Sequence, residues 1–525
     1  MSQLLTIKEA SRWATVLLKK QVTSSNISYL IQYGRIKKHN NNGKTMVDLT
    51  DLEEYYKSHY QIKENNWKDK LGNDLNWTLS FSEYKESETT KHVHRLHPYK
   101  GKFIPQLVEY FLDSHTDDFK KEVYFKKGDI VLDPFCGSGT TLVQANELGI
   151  HAIGMDISTF NVLISNVKIG KHDISDIAKS INNITNQLKI FQQGKPNVEF
   201  EERLLYKLKE FNNEYFPSPE FKRKIRQNQI NEKKYSKERE KLFLNTYFNL
   251  INQYQIPLKQ KNSETFLEKW FLPTVKDELD FVFEQIKQIK NPSTKNVLSV
   301  ILSRTIRSCR ATTHSDLATL IEPVTTTYYC KKHGKICKPL FSILGWWERY
   351  GQDSLNRLKH FDRLRTDTYQ LCLTGDSRNI DIFTELKKRN DFFSELTEKQ
   401  KIKGIFSSPP YVGLINYHEQ HAYSYDLFGF ERMDEFEIGP LYNGQGADAK
   451  ASYVRGIIDV LMNCKKYLQE NYVILLVAND KYGLYPKIAD EAGLKIVNRY
   501  KRPVLNRVEK DRSAYSEIIF HLEEK

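Results

Sequence analysis

Three acidic residues close short apolar runs, and one rigid turn carries a hydroxyl beside an aromatic ring. The runs are "IVLD" ending at Asp133, "HAIGMD" ending at Asp156 and "LCLTGD" ending at Asp376; the turn is Ser408-Pro409-Pro410-Tyr411, one residue after "IKGIF". Prolines lack the N–H that a central strand must donate, so the strand stops at this turn. Behind Asp133 lies "PFCGSGTT", where Gly137 and Gly139 let the backbone approach a ligand closely at a helix N-terminus. The third glycine of the dinucleotide fingerprint is missing, which disfavours nicotinamide and flavin, and no lysine follows, which excludes a P-loop. Asp156 can take both ribose hydroxyls of an adenosyl ligand. Its other reading is an N-cap for the helix that follows.

These residues need elements to hold them. Strand, glycine turn, helix and strand between Ile130 and Asp156 make one right-handed βαβ unit. A second crossover should follow within roughly 30 residues, yet some 220 separate Asp156 from Asp376. The surplus is read as an inserted, mostly helical domain over 172–365. In it, Lys222 to Lys241 holds nine basic and three acidic residues, a solvated face or a partner for phosphates. Arg304, Arg307 and Arg310 recur every third residue and share a face if helical, suited to guanine readout or to internal salt bridges. "CKKHGKIC" places Cys330, His333 and Cys337 at ligand-like spacing, with Cys309 or His314 able to complete a zinc set. The preferred reading is a lysine-rich hairpin turning at "KHGK" with incidental cysteines, and no metal is expected. Downstream, "NYVILLVAND" reads as a buried strand, and "LKIVNRYKRPVLNR" with "SEIIFHLEEK" as a terminal antiparallel hairpin.

The first 58 residues read as a separate module. Thr6 and Glu9 suit a capping box, a second helix opens near Thr23–Ser25 and ends at Gly34, a hairpin turns at "NNNG", and a last helix starts near Thr50. Residues 59–91 are read as a linker. Across 525 residues, 79 Lys+Arg against 66 Asp+Glu leave a net charge of +13, which favours a polyanionic partner. Six cysteines and no signal-peptide pattern fit a reducing cytoplasm, and the longest apolar runs are too short to span a bilayer.

"DPFCGSGTT" resembles the S-adenosylmethionine-binding motif of the DNA amino-methyltransferases, which act on cytosine N4 or adenine N6. Ser408-Pro409-Pro410-Tyr411 resembles their catalytic Asp/Asn/Ser-Pro-Pro-aromatic motif, and "HPYKGKF…P" resembles the helix that closes over the cofactor's methionine end. The first module resembles the winged helix-turn-helix of excisionases and MerR-type regulators. The resemblance implies a Rossmann-like α/β fold with a seven-stranded, mainly parallel sheet, its methyltransferase halves at 92–171 and 366–525. It implies cofactor contacts from Lys102, Phe103, Pro105, Asp133, Pro134, Phe135, Cys136, Gly137, Ser138, Gly139, Thr140, Asp156, Ile157, Asp376 and Ser377. Target recognition falls to the insert, helped by "INYHEQHAYSYDLFGF", with double-stranded DNA as partner and a separate restriction endonuclease alongside.

The chemistry agrees with the resemblance. An exocyclic amine is a poor nucleophile because its lone pair is delocalised into the ring. Ser408 Oγ and a proline-locked carbonyl can draw its hydrogens and free the lone pair, while Tyr411 offers a stacking face for a flipped base. Serine at 408 resembles the cytosine branch more than the adenine branch, although Ser407 stands where the cytosine branch commonly has Thr. Adenine-N6 methylation, methylation of RNA or of a protein amide, and a catalytically dead DNA-binding scaffold are the rival readings.

Overall fold

The computed structural model describes residues 3–18, 22–32, 34–41, 44–314, 316, 320–505 and 514–525. Contacts divide them into two units: 1–70 with 188–278 and 308–343, and 71–187 with 279–307 and 344–525. The expected insert is therefore shared between both units rather than standing as one body. The expected linker is likewise built into structure. Its first part continues the helix Leu49–Leu71, and residues 71–91 belong to the second unit, where Leu75 and Leu79 are buried.

The second unit is organised by seven strands: β1 Ile130–Asp133, β2 His151–Asp156, β3 Gln370–Thr374, β4 Ile402–Ser407, β5 Leu468–Ala478, β6 Leu494–Pro503 and β7 Ser516–Glu524. They lie in the order β6-β7-β5-β4-β1-β2-β3. The pairs from β3 through β5 are parallel, and β7 runs antiparallel between β5 and β6. The fold is thus a Rossmann-like, seven-stranded and mainly parallel sheet, as expected, and the terminal hairpin is present over its described residues. Residues 506 and 507, at the end of the penultimate expected strand, lie outside them.

Why these runs become central strands is plain from their sides. Every residue of β1 is buried, and β4 is buried at all but Lys403. Ile130, Leu132, Ile153, Ile405, Ile474 and Leu476 join one core with Val454, Ile457 and Leu461 of the helix Ala447–Lys465. Strands covered on both faces carry no alternation, which is why they read as continuous apolar runs. Strand order reverses about β1, between β2 and β4, and in open parallel sheets ligands bind outside the carboxyl ends at such a point.

The first unit begins with a three-stranded sheet of Leu4–Thr6, Lys44–Asp48 and His39–Asn41, in that order, around helices Ile7–Leu17 and Ser24–Gln32. The Thr6–Glu9 capping box forms, and Gly34, at φ 62°, ends the second helix with Arg35 N–H bonded back to the Leu30 carbonyl at 2.7 Å. The expected "NNNG" turn reaches residues 42 and 43, which lie outside the described residues. Among the described residues no helix is long and apolar enough to cross a membrane.

Strand β4 contains a test of how tightly the sheet is closed. A Cβ on Gly404 would lie 2.2 Å from the Val473 carbonyl oxygen of β5. Gly404→Ala is expected to lower stability by about 2–3 kcal/mol, the scale of overpacking in a filled interior, read as a shift of the denaturant midpoint. An unchanged midpoint would contradict the strand spacing.

Candidate active site

At the carboxyl ends of β1, β2, β3 and β4 lies a cavity of about 890 Å³, part of it open to solvent. Each strand end delivers one expected feature. Pro134, Phe135, Cys136, Gly137, Ser138 and Thr140 line it after β1; Asp156 and Ile157 after β2; Asp376 and Ser377 after β3; Ser408 and Pro410 after β4. Lys102 and Phe103 line it from the segment before helix Pro105–Leu112. Asp133, Gly139, Pro105, Pro409 and Tyr411 are not on its wall.

Those five stand behind or beside it. Asp133 is buried and accepts from Ser407 Oγ at 2.5 Å and from the Phe135 N–H at 3.2 Å, so it ties β1 to β4. Burial pushes its carboxyl up to about 6, against the pull of the Ser407 bond. Gly139, at φ 74°, precedes the helix Thr140–Glu147, and a Cβ there would meet Ser165 Oγ at 2.9 Å. Pro105 starts its helix at a position where no N–H is needed. The Tyr411 hydroxyl donates to Glu517 on β7 at 2.8 Å.

Asp156 is the most elaborated group. Its carboxylate accepts the Gly137 N–H at 2.8 Å, the Ser158 N–H at 2.8 Å and Asn161 Nδ2 at 3.1 Å. A carboxylate has about four acceptor positions, so about one stays open towards the cavity. The N-cap of helix Thr159–Ile169 is Ser158, whose Oγ accepts the Asn161 N–H, which removes the capping reading of Asp156. Burial holds the Asp156 carboxyl up to about 6.

Asp376 differs from expectation in its surroundings. Arg378 Nε and Nη2 grip its carboxylate at 2.6–2.9 Å, and the Arg378 N–H adds a bond at 2.9 Å. Little acceptor capacity is left for an adenine amino group. At the opposite side, Lys102 Nζ donates to the His94 carbonyl at 2.5 Å, and burial, then Arg95 and Arg357, push its ammonium down to about 8. Lys168, fully buried, donates to the Ser138 carbonyl beneath the glycine turn.

Other wall residues carried no sequence signal strong enough to select them. Tyr99 sits within the quoted "HPYKGKF", its ring stacked on Tyr417 at 6.4 Å. His418 Nδ1 pairs with Glu437 at 2.5 Å, and Glu437 also accepts the backbone N–H groups of Tyr417 and His418. Tyr417 and His418 come from the segment assigned to target recognition, and they face the cavity instead. The three arginines form no open stripe. Arg304 is buried against Asp353 at 2.6 Å and Tyr350, Arg307 stands near the end of helix Pro292–Cys309, and Arg310 lies past that end, buried in the other unit.

Comparison with known proteins bears directly on this arrangement. The family model described as DNA methylase, of the N6/N4 type, matches residues 19–167. A Type II methyltransferase, M.MjaII of Methanocaldococcus jannaschii, is 46% identical over 99% of this chain and 97% of its own length. The chain belongs to the Type II DNA methyltransferases of the N6/N4 family. A shorter likeness joins it to M.MvaI of Kocuria varians, 31% identical over 22% of this chain and 24% of that one. A tRNA (guanine(10)-N2)-dimethyltransferase of Methanocaldococcus jannaschii is 36% identical over 12% of this chain and 21% of its own. The methyltransferase uses S-adenosylmethionine, and its cavity suits that group. A Cβ on Gly137 would meet Tyr99 Oη at 3.0 Å, so the glycine turn already lies as close as backbone allows. Among the described residues, Asn161 Oδ1 and Ser138 Oγ, buried beside the cavity, have no hydrogen-bond partner.

The raised Asp156 carboxyl sets a pH profile. Ribose hydroxyls bond more strongly to the ionised form, and a proton on the carboxyl takes up an acceptor position, so protons and cofactor compete for it. Affinity for S-adenosylhomocysteine should be constant above about pH 7 and fall towards tenfold per unit below about pH 6, measured by calorimetric titration. Asp156→Asn should bind weakly with a flattened profile. A flat profile in the unaltered protein would remove Asp156 from cofactor binding.

Proposed function

We propose that the methyltransferase methylates N4 of a cytosine flipped out of duplex DNA. The observation that carries this reading is that Ser408 and Pro410 open onto the same cavity as Gly137 and Asp156. An acceptor for an amine thus stands beside the cofactor's cradle. When bound, the cofactor supplies an electrophilic methyl group on a sulfonium.

In this reading Asp156 takes a ribose hydroxyl in its open position. A second hydroxyl displaces the Asn161 amide, the longest of the three donors. Lys102 holds the methionine carboxylate, with its charge favoured by that partner. Ser408 Oγ and a carbonyl of the Ser-Pro-Pro turn accept the two N4 hydrogens and draw the nitrogen towards tetrahedral geometry. The prolines keep that carbonyl aimed without reorganisation, which is where electrostatic catalysis gets its strength. Tyr411, anchored through its hydroxyl on Glu517 and packed on the core behind the wall, braces the Ser-Pro-Pro turn. Close in-line placement of amine and methyl then lowers the barrier as an orientation effect.

Serine at 408, rather than the Asp or Asn of the adenine branch, supports cytosine as the target. Adenine N6 is the alternative, run by the same residues. The basic Lys222–Lys241 window and the helix-turn-helix-like first module support duplex DNA over RNA. The biological setting consistent with the Type II relatives is cytoplasmic protection of host DNA from a separate cognate endonuclease.

Methyl-labelled cofactor, unmethylated genomic DNA and nucleoside analysis test the reaction. Labelled N4-methylcytosine is expected; labelled N6-methyladenine would overturn the choice of base, and absence of label in DNA would overturn the substrate. Ser408→Ala should lower turnover by about a hundredfold or more with cofactor affinity within about twofold of the unaltered protein. Normal turnover in that variant would refute the acceptor role.

A further inference from the structure

The hairpin that sequence spacing left as incidental is more than a turn. Its strands, Tyr328–Cys330 and Lys335–Cys337, are three residues each, and its own apolar cluster is Tyr328, Cys330 and Cys337 with Val324. A two-stranded hairpin of this size is not stable alone, and Lys331, Lys332 and Lys335 repel one another across it. Something further must hold it.

The fold brings a fourth side chain to the hairpin. Ligand atoms of His314, Cys330, His333 and Cys337 all lie within 4.8 Å of one another. A tetrahedral zinc ion with two sulfur and two nitrogen ligands sets its donor atoms about 3.3–3.8 Å apart, from bond lengths of about 2.3 and 2.0–2.1 Å. His333 Nδ1 and Cys337 Sγ are already 3.5 Å apart. The others, within 4.8 Å of one another, need to close by at most about an ångström to reach this spacing. We propose that these four residues form a structural zinc site.

Three features support the assignment. The turn is shaped to deliver ligands: Gly334, at φ 65°, bonds its N–H to the Cys330 carbonyl at 2.7 Å and folds His333 back towards Cys330. His314 Nδ1 is bonded to the Tyr328 hydroxyl at 2.8 Å, which leaves Nε2 for the metal and fixes the ring as an outer partner does in metal sites. Cys330 ends one strand of the hairpin and Cys337 the other, so both thiols are delivered by the same short ribbon as His333. Two thiolates and two imidazoles in a tetrahedral set select zinc, and four protein ligands leave no open position for catalysis.

The consequence is mechanical. Asn212 bonds both the N–H and the carbonyl of Ile336, and the Tyr329 hydroxyl donates to Glu232. The hairpin is thereby joined to the helices Pro196–Tyr215 and Glu232–Tyr254, the second of which carries much of the basic window. Zinc would fix the hairpin that these two helices hold through Asn212 and Glu232.

The test uses the full-length, untagged protein grown with zinc, purified under reducing conditions and passed through a weak chelator. Elemental analysis should give one zinc per chain, falling to none in Cys337→Ser and in His333→Gln. Maleimide labelling read by peptide mass guards against a variant that merely misfolds. In the unaltered protein Cys330 and Cys337 should be protected, and a strong chelator should expose them selectively. Cobalt(II) added to the stripped protein should give the visible bands of a tetrahedral thiolate site, and these should vanish in both variants. A folded, zinc-free protein that takes up neither metal would overturn the proposal, as would a Cys330–Cys337 disulfide or zinc retained after loss of both cysteines.

Discussion

The bond between Ser407 Oγ and the buried Asp133 carboxylate is the joint on which the site depends. It links the end of β1, where the glycine turn begins, to the end of β4, where the Ser-Pro-Pro turn begins, across 274 positions of chain. A carboxylate in so dry a place is costly unless hydrogen-bonded, and the Ser407 and Phe135 donors supply that bonding at the point where the strand order reverses. A cofactor cradle and an amine acceptor belong to different halves of the chain. They face one cavity because this pair of strand ends cannot drift apart without breaking the Ser407 bond to a buried carboxylate.

Around this joint, on the cavity wall or just behind it, stand groups that burial drives away from their charged forms. Asp156 is raised to about 6, Lys102 is lowered to about 8, and Lys168 lies lower than an ordinary lysine, all chiefly through desolvation. Each is partly compensated by backbone: amides on Asp156, carbonyls on the two lysines. A ligand with donors at one end and a carboxylate at the other would complete what the backbone leaves undone. Preorganisation of this kind stores the cost of desolvation in the fold, where hydrophobic burial across the sheet offsets it.

Much of this was legible in the sequence because strand ends and special turns are local. The apolar runs, the two left-handed glycines and the prolines after β4 each impose a backbone requirement that neighbouring residues reveal. Long-range partners are not local. Arg304 and Arg307 are three apart and look like one face, but Asp353 and Tyr350, far along the chain, take Arg304 into the interior. Asp376 looks like an open acceptor, and Arg378, two residues on, occupies it through a fork that spacing alone does not imply. Tyr417 and His418 open a helix of four residues and Glu437 lies past it in irregular chain, too little for a period to read, so only the fold brings them to the wall. The insert appeared as one block because composition does not change where its contacts do.

The same reasoning bears on the hairpin side chains proposed to hold zinc. Cys330, His333 and Cys337 are close in sequence, and three ligands without a fourth make a poor zinc site. His314 stands sixteen residues before Cys330, a spacing that many unrelated histidines share. What distinguishes it is Tyr328, whose hydroxyl holds the imidazole at 2.8 Å while its backbone begins the hairpin. One residue thus fixes both the ring and the strand on which Cys330 follows. Metal-site signals in sequence are weak where one ligand is supplied by tertiary packing. They become strong once the residue that orients that ligand is found on the same element as the others.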